Sequence, residues 1–140
     1  MADLNSIIRL HKHELDEKQR EIGLLYEQMN ALHDRRKHLQ DQRAAEVQAA
    51  SENPETVTFT LSGFLEKSKA EEEAITAKMF ELNDAVEALR DEMIDSFAEL
   101  KKYELTQNER DRLADKERKL KEGRMFDDIA IQGFRRGQDE

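Results

Sequence analysis

One stretch limits what this chain can fold into: between Leu61 and Tyr103 a heptad seam runs almost without interruption. Its positions are Leu61, Leu65, Ser68, Glu72, Ile75, Met79, Leu82, Val86, Leu89, Met93, Ser96, Leu100 and Tyr103, and the steps between them alternate between four residues and three. A 3.5-residue repeat keeps one apolar stripe in line along a supercoiled helix, which a 3.6-residue stripe does not do. A stripe of this length needs another helix to bury it.

The first third of the chain supplies a candidate. From residue 3 to about residue 50, Ile8, Leu15, Ile22 and Met29 recur every seven residues, and Leu25, Leu32 and Leu39 fill the alternate position. Asp3 or Asn5 suits the helix start. Gly23 lies beside the seam and costs about 1 kcal/mol of helix propensity without ending the helix. Further on, Arg36 and Arg43 occupy seam positions. Either their stems lie over the seam with the guanidinium groups in water, or one of them reaches Glu72 in the opposite seam and pins the register.

The only strong break is Ser51-Glu52-Asn53-Pro54-Glu55. Proline disfavours helix in the residue before it, and Asn-Pro is a turn signal. Thr56-Val57-Thr58-Phe59-Thr60 alternates apolar and polar residues and suits an extended or loosely wound tip, spanning about residues 51–62. Ser68 with Glu71 forms a possible capping box. The second helix is therefore expected to start between Thr60 and Ser68, about residue 63, and to run to about Phe134.

The expected fold is all-α: a long antiparallel two-helix coiled-coil hairpin in a single elongated domain. Centring the turn makes paired residue numbers add to about 111, a register set by whole heptads. Ile8 then faces Tyr103, Ile22 faces Leu89, Leu25 faces Val86, Leu32 faces Met79 and Leu39 faces Glu72. Leu4 falls near Gln107, so α-helix beyond about Glu109 overhangs the start of helix one. The dense seam stops there too, with only Leu105, Leu113 and Leu120 continuing it among alternating charges. Farther along, Met125, Phe126, Ile129, Ala130 and Phe134 are expected on one face with no cover from the hairpin. Exposed apolar patches usually mark an interface. Met125, Phe126, Ile129 and Phe134 are thus candidate partner-binding residues, and so are Val57, Phe59 and Phe64 at the tip.

The composition agrees with a narrow core and excludes several functions. Charged residues make up 39% and aromatics 6% of the 140 residues, too little apolar material for a compact core of ordinary size. There is no cysteine, hence no disulfide, thiol nucleophile or thiolate metal site. No apolar run approaches a membrane span, and Ile7, Ile8 and Leu10 are broken by Arg9 and His11, so the chain reads as cytosolic. His11 and His13 point to different sides of a helix, and His33 and His38 are badly spaced for one ion, so no metal site is expected. No phosphate loop, nucleophile–base pair or pocket suggests catalysis, and no cofactor is expected. The net charge of −9 comes from residues 52–99, which hold 13 acids against 4 bases. That segment repels phosphate, so nucleic acid is not expected as a partner. Arg35-Arg36-Lys37-His38 is diluted by Asp34 and Asp41 and reads as ordinary helix surface.

Both ends carry a resemblance. Ile7-Ile8-Arg9-Leu10-His11-Lys12 followed by Leu15-Asp16-Glu17-Lys18 is similar to the opening of the flagellar export protein FliJ family. Phe97-Ala98-Glu99-Leu100-Lys101-Lys102-Tyr103-Glu104-Leu105 resembles its second helix. The ending, with Arg124, Asp127-Asp128-Ile129-Ala130 and Phe134-Arg135-Arg136, resembles its basic–acidic–apolar tail, with Asp128 where glutamate is expected. The resemblance implies a non-enzymatic stalk of the flagellar type III protein export apparatus. Such a protein sits in the central hole of the hexameric export ATPase, contacts the export gate membrane protein and handles export chaperones. It implies a cytoplasmic protein, peripheral to the inner membrane at the flagellar base. Stalks of virulence-type III secretion systems share the shape, and a general coiled-coil adaptor or chaperone binding through exposed apolar ends is the other reading.

Overall fold

The computed structural model describes residues 3–56 and 59–138, apart from the side chains of Thr56 and Phe59. Among them are two long helices, α1 (Asn5–Glu52) and α2 (Phe59–Gln138), joined through a 3-10 turn at Pro54–Thr56, with no strand. The fold is an all-α helical hairpin. Its contacts group into two compact units, one of residues 14–95 and one that joins the start of α1 to α2 from Ser96 onward.

In the unit of residues 14–95 the core is the seam. Leu39, Ile75, Leu82 and Val86 are buried, Val86 to 1% exposure. Leu15, Ile22, Leu25, Met29 and Leu32 of α1 and Leu61, Leu65, Met79, Leu89 and Met93 of α2 are half-buried around them. Because each helix buries one stripe only, few residues are fully enclosed. Full burial of such an aliphatic side chain contributes roughly 1.5–3 kcal/mol, so the fold rests on many partial terms.

Polar contacts fix the register. Arg43 donates to the Ser68 hydroxyl at 3.3 Å and to the Glu72 carboxylate, which also accepts a hydrogen bond from Gln40. Arg43 and Ser68 are partners in the register read from the sequence. Of the two readings of the seam arginines, the register pin is therefore the one realised, by Arg43. Arg36 instead donates to Nδ1 of His33. Lys18 pairs with Glu92 at 3.9 Å and Arg35 with Glu71 at 3.0 Å, while Arg90 donates to the Tyr26 hydroxyl and lies over its ring.

The turn is tighter than expected. Asn53 closes the last turn of α1 by donating to the Ala49 carbonyl at 3.1 Å, and α2 begins at Phe59, ahead of the Thr60–Ser68 window. The β-branched residues near Thr60 cost only a few tenths of a kcal/mol each in a helix. Winding from Phe59 carries Leu61, Phe64 and Leu65 into half-buried positions, and that packing outweighs propensity. The Ser68–Glu71 capping box accordingly does not form: Ser68 is buried within the helix and Glu71 accepts from Arg35. Val57 lies outside the described residues.

In the other unit Ile8 and Leu100 are buried. Asp3 caps α1, its carboxylate accepting from the Asn5 N–H at 3.1 Å. Leu4 N–H donates to Gln107 Oε1 at 3.2 Å, the pair the register requires. The His11 ring stacks on Tyr103 with centroids 5.2 Å apart, and Lys12 pairs with Glu104 at 3.8 Å. Beyond Gln107 the cover ends: from Asn108 to Gln138 every residue except Asp115 is exposed, yet α2 continues as helix to Gln138.

Candidate docking surface

The uncovered part of α2 changes character along its length. Its first half is held by its own charges: Glu109 with Arg112 at 2.7 Å, Asp115 with Arg118, Asp115 with Lys119 at 3.3 Å, and Arg118 with Glu122 at 4.0 Å. Pairs three and four apart each stabilise an exposed helix by a few tenths of a kcal/mol. The Arg112 guanidinium, through its hydrogen bonds and then its charge, holds the Glu109 carboxyl below the usual range. No charged side chain from Arg124 to Arg136 makes an ion pair among the described residues.

The candidate residues of this end are all exposed: Met125 at 63%, Phe126 at 72%, Ile129 at 61% and Phe134 at 68%. Around the helix axis they spread over a broad face of about a half-turn, from Met125 to Phe134. Met125, Phe126 and Ile129, with Glu122, line a shallow cavity of about 310 Å³. At about 100° per residue, Phe134 stands opposite Met125 but only about 80° round from Phe126, toward the side of Leu113, Leu120 and Ile131. Those three are also exposed. Ile131 went unnoticed in the sequence because a cluster of neighbours was grouped by proximity. Counting back by sevens from Phe134 to Leu120 and Leu113 separates its column from that of Met125.

At the turn, Phe64 is half-buried and lines a cavity of about 370 Å³ with Ala49, Ala50, Leu61 and polar neighbours. Its ring is thus partly spent on internal packing. Val57 and the Phe59 side chain lie outside the described residues. Other apolar groups were missed by the seam reading because they sit beside it. Phe80 is 68% exposed and, with Met29, Arg36 and Met79, borders a shallow cavity of about 220 Å³. Ile94 is also exposed, as is Phe97, which carries the Lys101 ammonium 5.2 Å above its ring.

Elsewhere, hydrogen bonds from Gln40 and then Arg43 hold the Glu72 carboxyl below the usual range, aided by the charges of Arg43 and Arg36 and opposed by partial burial. Among the described residues no cluster of histidine and carboxylate side chains could hold a metal ion, and no helix is long and apolar enough to cross a membrane.

No family model, characterised protein or solved structure matches this chain.

Proposed function

We propose that this chain is a non-enzymatic stalk of the flagellar type III protein export apparatus. Its open end enters the hexameric export ATPase, and the hairpin links that ATPase to the export gate and to export chaperones. The observation that carries this reading is the bare length of α2 past Gln107, which ends in the exposed Met125–Phe126–Ile129 face. A single helix, roughly 10–12 Å across, fits a central hole that a helix pair fills less readily. A ring that surrounds it can cover every side at once. The sequence resemblance at both ends supports the same reading, and a cytoplasmic location at the flagellar membrane base goes with it.

The test is a pulldown of the purified export ATPase by the full chain, together with stimulation of its ATP hydrolysis. Phe126→Glu is expected to abolish capture while the helical signal in circular dichroism is unchanged. Capture unaffected by that variant overturns the role of this face. Failure of the parent chain to bind overturns the stalk reading and favours an adaptor of another kind.

A further inference from the structure

Past Gln107 a second seam is available that shares one column with the seam that α1 covers, the one running on from Tyr103, and adds a new column beside it. Leu113, Leu120, Asp127 and Phe134 form one column at seven-residue spacing, and Glu117, Arg124 and Ile131 form the other. All are exposed. Alternating steps of four and three make this a heptad stripe, but one with charge at its centre, which specifies a partner more than it stabilises one.

We infer that this stripe pairs with the same stripe of a second copy, antiparallel, with Arg124 opposite Asp127. In that alignment Leu120 faces Ile131, and the two-fold axis passes between Met125 and Phe126 in level. The Arg124–Asp127 contact then occurs twice. The positions that flank the seam bring Lys121 of each copy opposite Asp128 of the other, again twice. Four complementary pairs arise from four residues of each copy, and no like charges meet at the flanking positions. A parallel pairing would place Arg124 on Arg124 and Asp127 on Asp127; shifting the antiparallel alignment by one heptad sets Glu117 against Asp127 in one direction, and in the other leaves Arg124 against Phe134 and Asp127 against Ile131. Of these arrangements only the first gives both Arg124 and Asp127 an opposite charge, with Glu117 set against Phe134.

The state of those charges in the single chain supports this occupant. Lys121, Arg124, Asp127 and Asp128 make no ion pair among the described residues, whereas the charges from Glu109 to Lys119 are largely paired within the helix. Met125, Phe126 and Ile129 lie on the outer side of the paired stripe, so the dimer does not use the face assigned to the export ATPase, and the inference does not rest on that assignment.

The experiment is sedimentation equilibrium of the full chain over a range of concentrations, at low and high salt. A monomer–dimer equilibrium weakened by salt is expected. Arg124→Asp or Asp127→Arg alone turns two attractions into two repulsions and is expected to weaken dimerisation about tenfold or more. The double exchange R124D/D127R restores it. Because the chain has no cysteine, direction can be read independently: differently tagged L120C and I131C chains, mixed and oxidised, should give the mixed disulfide. A strict monomer at all concentrations, single charge reversals without effect, failure of the double exchange, or L120C–L120C homodisulfides as the main product each overturn the inference.

Discussion

Val86 and Phe80 lie six residues apart on α2 and invite opposite expectations from what a side chain's size alone suggests. Val86 is the smaller, but it is 1% exposed at the centre of the seam, whereas Phe80 is 68% exposed. Val86→Ala removes two methyl-sized groups at about 0.8 kcal/mol each, to which the unfilled space adds a little. Alanine's better helix propensity returns a few tenths, so the net loss is about 1.5 kcal/mol. Phe80→Ala deletes far more material but is expected to stay within about 0.5 kcal/mol, as exposed substitutions do. Urea unfolding followed by the helical circular dichroism signal separates them. With a slope of roughly 1–3 kcal/mol per molar urea, Val86→Ala lowers the midpoint by about 1 M and Phe80→Ala barely moves it. The reasoning fails if Phe80→Ala lowers the midpoint as far as Val86→Ala does at unchanged slope. In that case the outer face of α2, not the seam, holds the helices together.

Gly23 and Gly63 sit inside helices where an added Cβ meets nothing within 4 Å. Gly23→Ala and Gly63→Ala should each stabilise the hairpin by about 1 kcal/mol, read as a rise in thermal midpoint. Acid should act through Glu72. Its carboxyl is held low by Gln40 and Arg43 in the folded chain, so the stabilisation is complete above the ordinary glutamate range and fades as pH falls from there through the depressed value. Glu72→Gln should therefore be less stable than the parent near neutral pH, with the gap closing in acid; a constant gap would refute the assignment.

The hairpin was legible because its information is periodic. A 4-3 seam on each side of one proline break determines both helices and the alignment between them, and Leu4 with Gln107 and Arg43 with Ser68 meet as that alignment requires. The turn was less legible. Thr56 to Thr60 carry a local β preference, and the helix start at Phe59 is decided by packing of Leu61, Phe64 and Leu65 against α1, which no local signal reports. At the other end, exposure of Met125, Phe126, Ile129 and Phe134 followed from register arithmetic. Their spread over about a half-turn, from Met125 round to Phe134, did not, since proximity in sequence conceals rotation.

That spread bears on what the bare helix can do. One partner helix covers one stripe, and a segment that is apolar on two opposite sides leaves one of them wet in any two-helix complex. The second-copy pairing buries the Leu120–Ile131 side and leaves Met125, Phe126 and Ile129 in water; a surrounding ring reaches both. The two complexes therefore respond differently to the same substitutions. Phe126→Glu should spare dimerisation, because Phe126 lies outside the paired stripe, while it disrupts ring capture. Arg124→Asp should weaken the dimer without removing an apolar group that a ring would grip. If each substitution impaired both complexes equally, the two sides would not be separate surfaces, and the segment would be a single sticky end instead of two. If their effects divide as expected, the two sides are separate surfaces, and a ring that encloses the helix has to part the dimer first.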